Sequence, residues 1–237
     1  MNWLVATLTD RTTETPTSTT LTFDVDGWPG HRPGQHVDVR LTAEDGYSAQ
    51  RSYSMATPAD GSTVVLTVQT VDDGEVSPYL ADVLEVGAQV ELKGPIGGWF
   101  VWDEADDAPV LLIAGGSGIV PLMAMIRARR RSGSTAPFRL IYSVRSPAEV
   151  MYASELRAMN GTVEVAIRYT REDPNGHPGR LTPDAIASGG WSPDIAPRCF
   201  VCGPTGFVEM VADVLVTQGH MPFRVKTERF GPVGIAR

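Results

Sequence analysis

The chain has 237 residues with 20 basic and 28 acidic side chains, a net charge of -8, 42% hydrophobic and 20% charged residues. These are ordinary globular values with room for two domains, each able to bury its own core. The acidic balance excludes nucleic acid as a general partner, since phosphate binding needs a basic face, and no apolar run is long enough for membrane insertion.

Short alternating runs separated by turn residues fill the first hundred positions: Thr20 to Val25, Val37-Val39-Leu41, Val64-Leu66-Val68 and Val90-Leu92. They predict an antiparallel β domain, and the need to cover strand edges favours a small barrel. The threonine-rich start, Thr7 to Thr20, suits exposed strands, and Met1-Asn2-Trp3-Leu4 lacks the features of a secretory signal, so the expected location is cytoplasmic. One helix is expected from Ser77 to Leu84, with serine as cap and Pro78 in the first turn.

The polar run Asp103 to Asp107 ends this pattern and marks the expected domain boundary. Strands then alternate with helices: strand Val110-Ala114, helix Ile119-Arg130, strand Phe138-Ser143, helix Pro147-Met159, strand Val163-Tyr169, a short helix from Pro183, strand Cys199-Cys202, helix Phe207-Gln218 and strand Phe223-Glu228. Such alternation predicts a parallel sheet with helices on both faces. Arg127, Arg129, Arg130 and Arg131 fall at a helix C-terminus, where cations offset the dipole; a docking patch for an acidic carrier protein is the second reading.

The two cysteines, Cys199 and Cys202, lie three apart on an expected strand and therefore point to opposite faces, which opposes both a disulfide and a dithiol redox pair. With His31, His36, His177 and His220 scattered, no iron–sulfur or zinc ligand set is recognisable, so no metal is expected. His177, in a turn-rich loop, reads as solvated, and His36 as a strand start.

Three segments carry nucleotide chemistry. Arg51-Ser52-Tyr53-Ser54 offers a permanent cation for phosphate, a flat aromatic face and a hydroxyl for a heterocycle edge. Gly74-Glu75-Val76-Ser77 is a glycine-led turn opening a helix, which can present N–H groups and the Ser77 hydroxyl to a phosphate. Gly115-Gly116-Ser117-Gly118 follows the first strand of the parallel sheet, where a dinucleotide pyrophosphate can approach the backbone and the next helix aims its positive end at it.

Taken with Gly94-Pro-Ile-Gly97, Gly115 to Pro121, Cys202-Gly203-Pro204 and Glu228-Arg229-Phe230-Gly231-Pro232, these segments resemble, in order and over nearly the whole chain, the ferredoxin–NADP reductase superfamily. The resemblance implies a two-domain fold: an antiparallel six-stranded β-barrel that binds flavin, residues 1–105, followed by an α/β parallel-sheet nucleotide-binding domain, residues 106–237. It implies that Arg51, Ser52, Tyr53 and Ser54 bind FAD, favoured over FMN, and that Gly74, Glu75, Val76 and Ser77 hold its phosphates. Gly116, Ser117, Gly118, Ile119 and Val120 would meet the phosphates of the nicotinamide cofactor. Cys202 and Gly203 would lie beside the nicotinamide, with a plain buried strand cysteine as the other reading of Cys202. Glu228 resembles the acidic residue some members keep near the active site, so Ser54, Cys202 and Glu228 form the candidate catalytic set. Phe230 would cover the flavin ring, although the chain departs from the family by running on to Arg237.

Arg145, Arg171 and Arg180 follow successive elements at positions that look like the 2′-phosphate arginines of NADP-preferring members, and no acidic residue directly follows the second parallel strand to hold a free ribose diol. NADPH is therefore expected over NADH. The implied activity moves hydride from NADPH to bound FAD and then electrons to a separate acceptor protein, such as a ferredoxin, a flavodoxin or an oxygenase component. Two other readings stay open: a flavin reductase using diffusible flavin, and a non-catalytic flavin-binding electron-transfer subunit.

Overall fold

The structure, a computed structural model, describes residues 2–159 and 161–231. Pro232 and the tail to Arg237, which bear on the role of Phe230, lie outside the described residues, as does Met1.

Six antiparallel strands form the first half: β1 (Leu4–Thr15), β2 (Ser18–Val25), β3 (His36–Thr42), β4 (Ser48–Ser54), β5 (Thr63–Gln69) and β6 (Gln89–Ile96). Their order is β4-β3-β6-β1-β2-β5. An isolated Met55–Leu66 bridge joins the two edge strands, and the Ala56 N–H donates to the Val65 carbonyl at 2.8 Å. The barrel thus closes immediately after the Arg51 tetrad. Alternation explains its filling: Leu21, Phe23 and Val25 of β2 and Val37 and Val39 of β3 point inward with no exposed surface.

The helix expected from Ser77 is a three-residue turn, α1 (Val76–Pro78), running into a π turn over Tyr79–Val83. Ser77 does not cap it. The Val71 N–H donates to Ser77 Oγ at 3.1 Å, so the hydroxyl ties down the preceding loop from inside the first turn.

The second half is a parallel sheet of β7 (Val110–Gly115), β8 (Phe138–Val144), β9 (Val163–Tyr169), β10 (Arg198–Pro204) and β11 (Val225–Phe230), in the order β11-β10-β7-β8-β9. Helices α2 (Ile119–Ser132) and α3 (Ala153–Ala158) pack with one apolar cluster, and α4 (Pro183–Gly189) and α5 (Thr205–Thr217) with another. Covered on both faces, β7 is buried at all six positions, which explains its unbroken apolar sequence. The last strand starts two residues later than expected, after a 3-10 turn over Pro222–Arg224, and extends through Phe230.

One expected helix is broken. Pro147–Glu149 forms a 3-10 turn, Tyr152 adopts a left-handed conformation with φ of 56°, and only Ala153–Ala158 is α-helical. The break lets the Tyr152 side chain reach the barrel, where its hydroxyl donates to Thr67 Oγ1 at 2.5 Å. Tertiary contact overrides the helical pattern here.

Candidate functional site

The strand order reverses between β7 and β10, the place where open α/β sheets accept ligands at their C-terminal edge. The turn after β7 lies there against Cys202-Gly203. A Cβ on Gly118 would run into the Cys202 carbonyl, and one on Gly203 would stand 2.8 Å from the Phe207 ring and 3.2 Å from the backbone of Gly115. These glycines are therefore set by close backbone packing. Gly116 differs: its φ is 55°, and a Cβ there would meet nothing within 4 Å. It leaves open space in front of the N-terminus of α2, as a backbone cradle for phosphate requires. The side chains of Ile119 and Val120 are buried, so only their backbones can face a ligand.

On the barrel, β4 splits its four residues between two faces. Arg51 and Tyr53 pair with the inward Val39 and Val37, whereas Ser52 and Ser54 pair with Asp38 and His36. Ser52 Oγ donates to Asp38 Oδ1 at 2.6 Å, and Arg51 is exposed, donating only to the neighbouring Gln50 carbonyl at 2.7 Å. Burial pushes the Tyr53 hydroxyl up to about 12 against the pull of Arg51, so it stays protonated as a donor. The tip of the β3–β4 hairpin folds toward the glycine turn: Tyr47, 58% exposed, donates to both oxygens of Glu75 at 3.2 and 3.0 Å. Gly74 is required by the turn itself, since a Cβ would stand 2.9 Å from the Val71 carbonyl, and Val76 is turned into the barrel core.

The two halves meet at a polar side-chain contact. His36, opposite Ser54, places Nδ1 3.6 Å from Oε1 of Glu228, which is in register with Cys202. Ser54, His36, Glu228 and Cys202 thus come together from four strands of two sheets. Cys202 is 1% exposed, and burial, then the nearby Glu228 carboxylate, push its thiol well up. It is a neutral, compact contact group rather than a thiolate nucleophile. Its partner in sequence, Cys199, faces the opposite side of the sheet in the α5 cluster, and both are free.

Arg145 and Arg171 occupy adjacent loops at the same C-terminal edge, with the Arg171 N–H donating to the Arg145 carbonyl at 2.9 Å. Both are exposed, as are Arg180 and His177 on the loop beyond β9. None of the three arginines forms an ion pair among the described residues. Phe230, 36% exposed, ends β11 opposite Pro204.

Whether these residues suit a flavin and a nicotinamide nucleotide can be judged from what they leave unsatisfied. Among the described residues Glu228 Oε2 is buried without a hydrogen-bond partner, Arg51 spends only one Nη, on the Gln50 carbonyl, and Gly116 fronts open space. The donor set fits a flat, polar-edged ring with a diphosphate. Two cavities, of about 520 Å³ beside Trp102 and Lys226 and about 630 Å³ beside Arg127 and Asp60, are not lined by the tetrad or the Gly116 turn. Among the described residues no cluster of His, Cys, Asp and Glu could hold a metal ion, and no helix is long and apolar enough to cross a membrane.

Comparison with known proteins agrees with this two-part architecture. Residues 5–101 match the oxidoreductase FAD-binding domain family and residues 112–213 the oxidoreductase NAD-binding domain family. The chain belongs to the ferredoxin–NADP reductase superfamily. It is 32% identical over 208 residues to ferredoxin–NADP reductase B of Sorangium cellulosum, covering 83% of this chain and 84% of that protein. It is 28% identical over 212 residues to the ferredoxin–NAD(P)(+) reductase component of the naphthalene 1,2-dioxygenase/salicylate 5-hydroxylase systems of a Ralstonia species, covering 86% of this chain but 61% of the relative. The chain therefore spans less than two thirds of that oxygenase reductase component. The FAD/NAD-binding domain of the Vibrio cholerae nitric oxide dioxygenase shares the fold, with a TM-score of 0.84 at 24% identity over 97% of this chain and 99% of that one.

Motif reading singled out the tetrad, both glycine turns, Cys202 and Glu228; His36 does begin β3, as expected, and the structure adds its contact with Glu228 and that of Tyr47 with Glu75. A signal for His36 existed. The Asp45-Gly46 turn sets the β3–β4 register, and counting back from Thr42–Ser48 reaches His36–Ser54. Arg127 and Arg131 also differ from a plain dipole-capping role, because they donate to the barrel carbonyls of Ala56 and Ala59 at 2.7 and 2.6 Å. Arg129 to Arg131 do occupy the last turn of α2, which Gly133 closes in a left-handed conformation.

Proposed function

We propose that this chain is an NADPH-dependent FAD oxidoreductase that delivers electrons to a separate acceptor protein of the ferredoxin, flavodoxin or oxygenase-component kind. The observation that carries the reading is the junction of Ser54 and His36 with Cys202 and Glu228, where a flavin-contacting strand meets the C-terminal edge of a nucleotide-binding sheet. The matched domain families support it, as do relatives named as reductases of such systems. The same reading divides the chain after Ala105, within the polar linker.

FAD would supply a two-electron acceptor able to release electrons singly, and the protein's share is alignment and exclusion of water. Arg51 would hold the flavin diphosphate with the backbone of Gly74 to Ser77, while Tyr53 and Ser54 would contact the ring. Glu75, committed to Tyr47, would frame that phosphate turn without contributing a cation. Gly116 to Val120 would offer backbone N–H groups to the nicotinamide nucleotide. Cys202 and Gly203 would flank its reactive end, with Phe230 at the rim. Glu228 and His36 would set a carboxyl group and an imidazole beside the strand that carries Ser54, next to the place where chemistry would occur. Arg145 and Arg171, with Arg180 beyond them, supply the cations that a 2′-phosphate would engage, which favours NADPH.

Anaerobic stopped-flow mixing of the flavin-loaded protein with NADPH and NADH side by side tests the whole reading. Bleaching of the visible flavin band, faster at low NADPH than at equal NADH, is expected. A band that persists with both nucleotides would leave only the non-catalytic subunit. Loss of all flavin on gel filtration, with turnover of added flavin, would favour the diffusible-flavin reductase.

A further inference from the structure

The barrel and the α/β half are joined a second time by a hydrogen-bonded ring that the nucleotide chemistry does not use. Tyr152 Oη donates to Thr67 Oγ1 at 2.5 Å, and Thr67 shares a 2.8 Å bond with Thr20 Oγ1. Thr20 donates to Glu14 Oε1 at 2.9 Å, and Glu14 Oε2 accepts the Tyr152 backbone N–H at 3.2 Å, which closes the ring. Strands β1, β2 and β5 are thereby tied to one residue of the α/β half. That residue is 4% exposed and holds a positive φ, a conformation that a side-chain-bearing residue keeps only where its surroundings dictate it.

Arg127 completes the joint. Its guanidinium lies 4.6 Å over the Tyr152 ring, grips the Glu155 carboxylate through Nε and an Nη, and donates to the Ala56 carbonyl at 2.7 Å. Ala56 lies two residues beyond Ser54 at the seam where the barrel closes. Arg127 also sits on α2, about 12 Å of helix rise from Ile119, where that helix leaves the Gly116–Gly118 turn. One rigid helix therefore spans from the candidate phosphate turn to the barrel seam next to the tetrad.

We infer that Arg127 and Tyr152 are positioning residues that set the alignment of the flavin-contacting strand with the nicotinamide-binding turn. Neither belongs to the candidate nucleotide surfaces, so their effect passes through Ala56 and Thr67. The inference rests on the proposed NADPH-to-flavin reading. A misalignment of about 1 Å can lower a transfer rate by as much as a hundredfold without removing a single ligand contact.

The experiment compares flavin-loaded wild type with Tyr152→Phe, Thr67→Val, their double variant, Arg127→Met and Arg127→Lys. Anaerobic stopped flow is run with NADPH and with NADPH dideuterated at C4. A wild type that does not bleach defeats the functional reading itself, independently of the joint. With an active wild type, Tyr152→Phe and Thr67→Val are each expected to lower the limiting rate of flavin reduction about tenfold per bound flavin and to raise the deuterium isotope effect. Half-saturating NADPH should stay within about twofold, because no nucleotide contact is touched. The double variant should be no worse than Thr67→Val, which already removes the Tyr152 bond together with the one to Thr20. Arg127→Lys should recover part of the rate lost in Arg127→Met. Wild-type limiting rates and isotope effects in Tyr152→Phe and Thr67→Val, whatever happens to thermal stability, would overturn the inference. Those two changes are nearly isosteric, so they keep the test intact if Arg127→Met fails to fold.

Discussion

Replacing Gly118 by alanine probes the contact on which the candidate site depends. The new Cβ would stand 2.8 Å from Gly203 N, where ordinary contact begins at 3.4 Å, and closer still to the Cys202 carbonyl. The turn before α2 and the end of β10 must then part by at least about 0.6 Å (3.4 − 2.8), and both neighbours are backbone with no rotamer to yield. Overpacking of this kind costs about 1–3 kcal/mol. For a chain of this size each kcal/mol corresponds to about 2–4 °C, so the melting temperature should fall by about 2 to 12 °C. The functional loss should exceed the stability loss, because the same displacement moves Cys202-Gly203 relative to the Gly116 cradle; a fall of about tenfold or more in flavin reduction is expected. Circular dichroism melting and anaerobic stopped flow measure the two effects on the same sample. Gly206→Ala is the control, since Gly206 has ordinary φ and open space around its Cβ position. A Gly118→Ala protein that melts within about 1 °C of wild type and reduces flavin at the wild-type rate would refute the reasoning.

Arg145→Ala combined with Arg171→Ala should raise half-saturating NADPH about ten- to a hundredfold while leaving NADH within about twofold, as expected for lost charge-assisted bonds to a 2′-phosphate; equal losses for both nucleotides would count against that assignment. His31 accepts from Trp28 Nε1 at its Nδ1 and so carries its proton on Nε2, facing the Thr57 carbonyl at 2.8 Å. Burial, chiefly, lowers its pKa below 6.5. The unfolded chain therefore binds this proton more readily, so the His31 contribution to stability is complete above pH 6.5 and is lost as pH falls through the folded value. Urea melts of wild type and His31→Gln across that window should show a weaker acid dependence in the variant, and an unchanged slope would remove His31 from the acid response.

How far the sequence could be read depended on whether a signal was local. Strand β7 was legible because burial on both faces demands an unbroken apolar run, and α2 because its apolar pattern ends in arginines that offset the dipole, two residues short of the observed end at Ser132. The helix expected over Pro147–Met159 was misread because Tyr152 leaves it to satisfy a hydroxyl of the barrel, 85 residues away in the chain. Ser77 looked like a cap and proved to be a loop tie, since its acceptor role toward Val71 exists only once the loop has folded back.

By itself the sequence determined the two halves, their order, and the residue types at each candidate nucleotide segment, since turns, alternation and glycine requirements are properties of neighbouring residues. Only the tertiary structure decided that His36 meets Glu228, that Cys202 presses on Gly118, and that Arg127 and Tyr152 join the halves beside the barrel seam. Those contacts link residues 71 to 192 positions apart, within the α/β half for Cys202 and Gly118 and between the two halves for the others. No local pattern encodes such a meeting.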